Sequence, residues 1–109
     1  MATKFISRSE EYVLLAVLYL EMEAYGVAIR RQLKRMTGET WAFGAVFVML
    51  SRMEKKGYCT SRLADPTPER GGKSKRIYSL TPEGLEELKR IKNIHSAAWK
   101  KAAAASLLK

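Results

Sequence analysis

The sequence has little of what most enzymes and secreted proteins depend on. Among 109 residues there is one cysteine, Cys59, and one histidine, His95. A lone cysteine forms no intramolecular disulfide, which fits a reducing compartment, and no His–Cys pair offers metal-ligand spacing. There is no phosphate-binding loop and no second histidine to orient a base, so neither catalysis nor a bound cofactor or metal is expected. The longest apolar run, YVLLAVLYL at 12–20, is nine residues, far short of the ~20 that a membrane-spanning helix needs. The opening MATKFISRSEE has no apolar stretch ahead of a small-residue cleavage site, so no secretory signal is expected and a cytoplasmic location is the default. Acid is scarce too: 11 Asp and Glu face 20 Lys and Arg, for a formal charge of +9. That balance favours nucleic acid or an anionic surface as partner, and 47% hydrophobic residues argue against disorder.

What is present reads as one domain. Ser7 followed by Glu10 matches a capping box, and 12–20 is apolar on every face, as in a central helix covered on more than one side. After EMEAYG a second helix begins near Tyr25, with Ile29, Leu33 and Met36 on one face and Arg30, Arg31, Lys34 and Arg35 elsewhere. Gly38 stands where a helix C′ glycine belongs. A third helix is predicted over 42–56, with Val46, Leu50 and Met53 inward and Gly57 at its end.

From Tyr58 the period changes. YCTSRLA and SKRIYSL read as two strands of a hairpin joined by DPTPERGGK. Within that loop, ERGGKSKR at 69–76 carries four cations and two adjacent glycines. In TPEG, Thr81 suits an N-cap, Pro82 the first helical position and Glu83 the first turn, and the last helix is predicted to run almost to Leu108.

Three helices, a hairpin and a long final helix describe a winged helix-turn-helix, mainly α with one small sheet (α+β). Residues 1–80 form the DNA-binding part, and 81–109 a C-terminal dimerisation helix within one compact whole. The segments AYGVAIRRQL, GAVFVMLSRMEKKG and PERGGKSKRIYSLTPEG together resemble the short members of the PadR family of bacterial transcriptional regulators. The resemblance implies a homodimeric DNA-binding regulator, a repressor in many relatives of this size, some of which respond to planar or phenolic compounds. It also marks a departure. Relatives frequently carry a serine near Ala42, a tyrosine at Phe47 and a threonine or proline at Val48, so hydroxyl donors are missing here.

In such a fold the third helix enters the major groove of double-stranded DNA and the wing reaches along the backbone or the minor groove. Arg70, Lys73, Lys75 and Arg76 would then neutralise phosphates. On the third helix the outward face carries Ala45, Val48 or Met49, Arg52 and Lys56; Ala45 and Met49 would pack on thymine methyls, and Arg52 would make a guanine or phosphate contact. The rival reading makes this apolar helix a docking surface for another protein, with the wing serving solubility. In the last helix Leu88, Ile91, His95, Ala98, Ala102 and Ala105 form a seam with Ile94 and Trp99 beside it, and a twofold homodimer would cover it. Part of the seam would fold back on 12–20 instead. His95 reads as an interface residue rather than a ligand or catalyst. Trp99 would serve in packing or, paired with its symmetry mate, sandwich a small planar ligand.

Overall fold

Why the first helix starts where it does is settled by two reciprocal hydrogen bonds. In the computed structural model, which describes residues 5–64 and 75–105, the Glu10 N–H donates to Ser7 Oγ at 3.1 Å and the Ser7 N–H donates to Glu10 Oε1 at 2.8 Å. This capping box opens α1, Arg8–Leu20. Val13, Leu14, Ala16 and Val17 of α1 are buried, and the helix packs on every other helix and on the sheet. It is central, as its composition suggests. One flank nevertheless stays open, because Leu18 and Tyr19 are exposed. The helix is thus covered on more than one side, as expected, but not all round within a single chain.

A short 3₁₀ turn, Glu21–Glu23, leads into α2, Gly26–Thr37. Ala28, Ile29 and Leu33 hold its inner face, whereas Met36 lies at the exposed end. Gly38 takes the left-handed conformation, φ 78°, and its N–H donates to the Lys34 carbonyl at 2.7 Å; a glycine adopts that geometry without a Cβ penalty. α3 follows at Phe43–Lys55 and buries Val46, Leu50 and Met53. Its N-cap, Ala42, offers no side-chain hydrogen bond.

Strands β1, Cys59–Leu63, and β2, Arg76–Leu80, pair antiparallel with Cys59 opposite Leu80 and Leu63 opposite Arg76. An isolated bridge between Tyr25 and Ile77, with the Tyr78 N–H donating to the Ala24 carbonyl at 2.8 Å, pins the hairpin to the start of α2. The wing's base is thus fixed to the helix-turn-helix.

The chain then enters α4, Pro82–Ala103, through a built junction. Thr81 Oγ1 accepts from the Gly84 N–H at 2.9 Å and donates to the Gly57 carbonyl at 2.6 Å. The Thr81 N–H donates to the Tyr58 carbonyl at 3.1 Å. Gly84 is packed so closely on that same carbonyl that any Cβ would collide with its oxygen, which explains a glycine inside a helix where it otherwise costs stability. Leu88 and Ile91 close the core against α1, while most of the C-terminal half of α4 projects away, giving the chain a 60 Å long dimension. Arg90 is paired with Glu87, Nη2 to Oε2 2.6 Å, rather than with Glu86 four residues away. Glu87 is nearly buried, so its carboxylate has more to gain from a counterion.

Candidate nucleic-acid interface

α2 and α3 form the two helices of a helix-turn-helix, and burial of Val46, Leu50 and Met53 turns the opposite side of α3 outward. Phe43, Gly44, Ala45, Phe47, Val48, Ser51, Arg52 and Lys55 are all exposed there. Ala45 stands on this face, as expected from the sequence, and Lys56 is exposed at the C-cap. Met49 does not stand free. It is half-buried and packed against the core cluster, as suits a long flexible thioether that fills irregular gaps in a core.

Arg52 is exposed on one side but tied down on the other. Its Nη1 donates to Glu10 Oε2 at 2.7 Å, joining α3 to the first turn of α1. Burial by itself would raise the Glu10 carboxyl, yet the Ser7 N–H, the Arg52 guanidinium and the nearby charge of Lys56 outweigh it and hold the group below its ordinary range. Glu10 is the residue that sequence reasoning assigned only to capping. No local pattern announces a partner 42 residues away.

Within the wing, Arg70 and Lys73 lie outside the described residues. Lys75 Nζ sits 3.7 Å from the centroid of the Tyr25 ring, a cation–π contact at the base of the hairpin. Arg76 is exposed, and its Nη1 donates to Ser61 Oγ at 2.9 Å, which in turn donates to the Glu54 carboxylate at 2.9 Å. The relay holds Arg76 on the outer surface of the sheet beside α3.

Two shallow hollows flank the outward face of α3. One, of about 390 Å³, lies between α2 and the turn before α3 and is lined by Val27, Arg30, Arg31, Lys34, Thr40, Trp41 and Phe43. Arg30 Nε donates to the Trp41 carbonyl at 2.6 Å, and its guanidinium lies 6.0 Å from the Phe43 centroid. The other, of about 340 Å³, is lined by Phe47, Val48, Ser51, Arg52 and Lys55. Neither contains a carboxylate. The sequence showed the α2 cations but not that Arg30, Arg31 and Lys34 converge with Trp41 and Phe43, which only the fold brings together.

A separate open groove of about 530 Å³ runs between α1 and α4, lined by Tyr12, Leu15, Leu18, Leu88, His95 and Trp99 among others. Of the seam residues, Leu88 and Ile91 are committed inside the protomer. Ala98 and Ala102 are exposed, and Trp99 is 64% exposed. His95 is half-buried, with Arg8 Nη2 lying 2.9 Å from its Nε2. Among the described residues no cluster of His, Cys, Asp and Glu could hold a metal ion, and no helix is long and apolar enough to cross a membrane. Cys59 is buried, and desolvation, with the Glu54 charge, pushes its thiol up to about 11.

Three helices around a hydrophobic core, a two-stranded wing pinned to α2 and a cation-framed third helix define a winged helix-turn-helix. The model of the PadR-like family of transcriptional regulators matches residues 14–90, and the chain belongs to that family. Its members are regulators of transcription and not enzymes. A PadR family transcription regulator from Clostridium difficile R20291 is similar at 30% identity, covering 85% of this chain and 93% of its own, with a TM-score of 0.62. Two further solved structures share the fold. One is a PadR family transcriptional regulator from Eggerthella lenta DSM 2243, 24% identical over 88% of this chain and 81% of its own, TM-score 0.70. The other is a PadR-like transcriptional regulator from Bacillus cereus strain ATCC 14579, 22% identical over 92% of this chain and 100% of its own, TM-score 0.63. No curated protein matches the chain.

Proposed function

We propose that this regulator is a cytoplasmic homodimer that binds a palindromic operator in duplex DNA and represses transcription by occupying promoter sequence. The observation that carries the DNA reading is the outward face of α3 from Phe43 to Arg52, which holds no carboxylate and is framed by Arg30, Arg31 and Lys34 on one side and Arg52 and Lys55 on the other. Such a frame matches a groove whose two walls are phosphate. The dimer reading rests on the α1–α4 groove. An α4 from a second copy would cover Leu18, Ala98, Trp99 and Ala102 together, and with twofold symmetry each copy covers the other. Two α3 helices held ~34 Å apart would meet successive major-groove faces, hence a palindrome.

Release follows from the same geometry. A planar ligand held between two Trp99 rings would change the angle between the winged halves, and only one separation fits both half-sites. Sequence-independent affinity comes from Arg70, Lys73, Lys75 and Arg76 of the wing together with the α2 cations.

The test is fluorescence anisotropy of a labelled duplex from upstream of the gene against a scrambled duplex, over a salt series from about 50 to 200 mM. The expected result is preference for the native duplex, with affinity falling steeply with salt. Replacing Lys73, Lys75 and Arg76 by alanine should weaken binding to both duplexes and flatten the slope by about 0.9 for each phosphate no longer neutralised. Binding that ignores salt would favour the rival reading, a protein-docking α3.

A further inference from the structure

The outward face of α3 has an unusual inventory for a helix that reads bases. Between Phe43 and Arg52 there is no Asn, Gln, Asp, Glu or His. Adenine is read by an amide and cytosine by a carboxylate, and neither is available. Ser51 is the one hydroxyl on that stretch, and Arg52 is engaged by Glu10. Polar readout from the middle of this helix is therefore minimal.

What the face does present is apolar and firmly placed. Phe47 is 43% exposed and Val48 55%. Phe43 meets Phe47 edge to face, with centroids 5.0 Å apart and planes at 61°. The pair rests on Gly26, where an added Cβ would press on the Phe43 ring at 3.3 Å. The rings are thus seated close on backbone from below and packed against each other, so little order remains to be acquired on binding. Gly44 and Ala45 beside them are small and exposed, which lets the helix lie close to whatever it meets.

The major groove displays one apolar group, the 5-methyl of thymine. We infer that this chain selects its half-sites chiefly by thymine methyls, with Phe47 and Val48 as the contacting side chains and Phe43 as the residue that positions Phe47. This rests on the DNA-binding reading above and names the class of sequence read: half-sites with thymines facing α3. Charge complementarity chooses DNA over an apolar protein as the occupant. An apolar strip flanked on both sides by cations, with no carboxylate lining either hollow, fits a methyl-bearing groove floor between two phosphate walls. The structure moves the apolar contact from Met49, which is drawn toward the core, to Phe47 and Val48.

The experiment starts from a random-sequence synthetic duplex pool, in which thymine is the only base carrying that methyl, and selects on the full-length protein. The best duplex is then remade with deoxyuridine for thymidine, which deletes the methyls and leaves every hydrogen-bonding edge and phosphate in place. A buried methyl contributes about fourfold in affinity, so loss across two half-sites should weaken binding about tenfold or more, with the salt slope unchanged. Val48→Ser, at an exposed position, should fold normally by circular dichroism and bring the thymidine-to-deoxyuridine ratio toward one. If the selected duplex is preferred over a scrambled one yet thymidine and deoxyuridine versions bind equally, methyl reading is overturned while sequence-specific binding stands. If no sequence is enriched, both this inference and the operator reading fall.

Discussion

Replacing Glu10 by glutamine separates the two tasks that this side chain performs. The amide oxygen that Glu10→Gln introduces can still accept from the Ser7 N–H, so the capping box persists in weakened form, while the charge that holds Arg52 is removed. The pair is asymmetric: the Glu10 side chain is 5% exposed and that of Arg52 is 52% exposed. A fully exposed pair contributes at most ~1 kcal/mol, and breaking a fully buried one costs ~3–5 kcal/mol. With solvent on the arginine side, a loss of about 1–2 kcal/mol at pH 7 is expected for Glu10→Gln. Arg52→Gln should cost about 2 kcal/mol, because it leaves a nearly buried carboxylate without its counterion. The double variant should then lose less than the sum, a coupling of about 1 kcal/mol. Urea unfolding at one protomer concentration measures all four proteins. The sign with pH is fixed by the direction of the shift. Glu10 in the folded protein lies below its ordinary value of 4.5, so its contribution is complete above that value and fades as pH falls through the folded one. The gap between wild type and Glu10→Gln should therefore be full at pH 7 and shrink below about pH 4. A gap of equal size at pH 7 and pH 3, or strictly additive losses, would refute the charge-pair account.

Gly84→Ala should destabilise by about 2–4 kcal/mol, since the new Cβ must displace the Tyr58 backbone, whereas Gly44→Ala, with nothing within 4 Å, should stabilise by about 0.5–1 kcal/mol; thermal melts with the same sign for both would contradict the packing. If the proposed homodimer forms through the α1–α4 groove, in analytical ultracentrifugation the wild type should sediment as a dimer and Leu18→Glu as a monomer with unchanged helical circular dichroism, and a variant that sediments as the wild type does would rule out that groove as the interface. The Cys59 thiol, buried and with its pKa at about 11, should resist a disulfide reagent at pH 8 until urea unfolds the chain; rapid labelling of the folded protein would show that β1 opens.

Local rules carried much of the architecture because its signals are local. A capping box, a C′ glycine and a Thr-Pro start each act within one helical turn, so Ser7, Gly38 and Thr81 marked their boundaries without any knowledge of the fold. The same holds for the alternation of the strands and for the inward residues of α3, whose spacing alone separates Val46, Leu50 and Met53 from their neighbours. Where spacing leaves a choice, sequence could not decide. Met49 and Val48 are adjacent, and only packing against the core cluster draws Met49 inward and leaves Val48 out. Arg90 had acids at three and at four residues, and burial of Glu87 selected the nearer one.

The chemistry of the surface was determined in the sequence: a net positive chain, a third helix without amide or carboxylate from Phe43 to Arg52, and a final helix with an apolar seam. Tertiary structure decided what those residues meet. It brought Arg30, Arg31 and Lys34 around Trp41 and Phe43, tied Arg52 to Glu10 across 42 positions, and left the flank of α1 open beside Trp99. Distances along the chain set helices and turns through bonds a few residues long. Contacts between distant residues arise only when several helices compete to bury the same core, and that competition has no signature in any one segment.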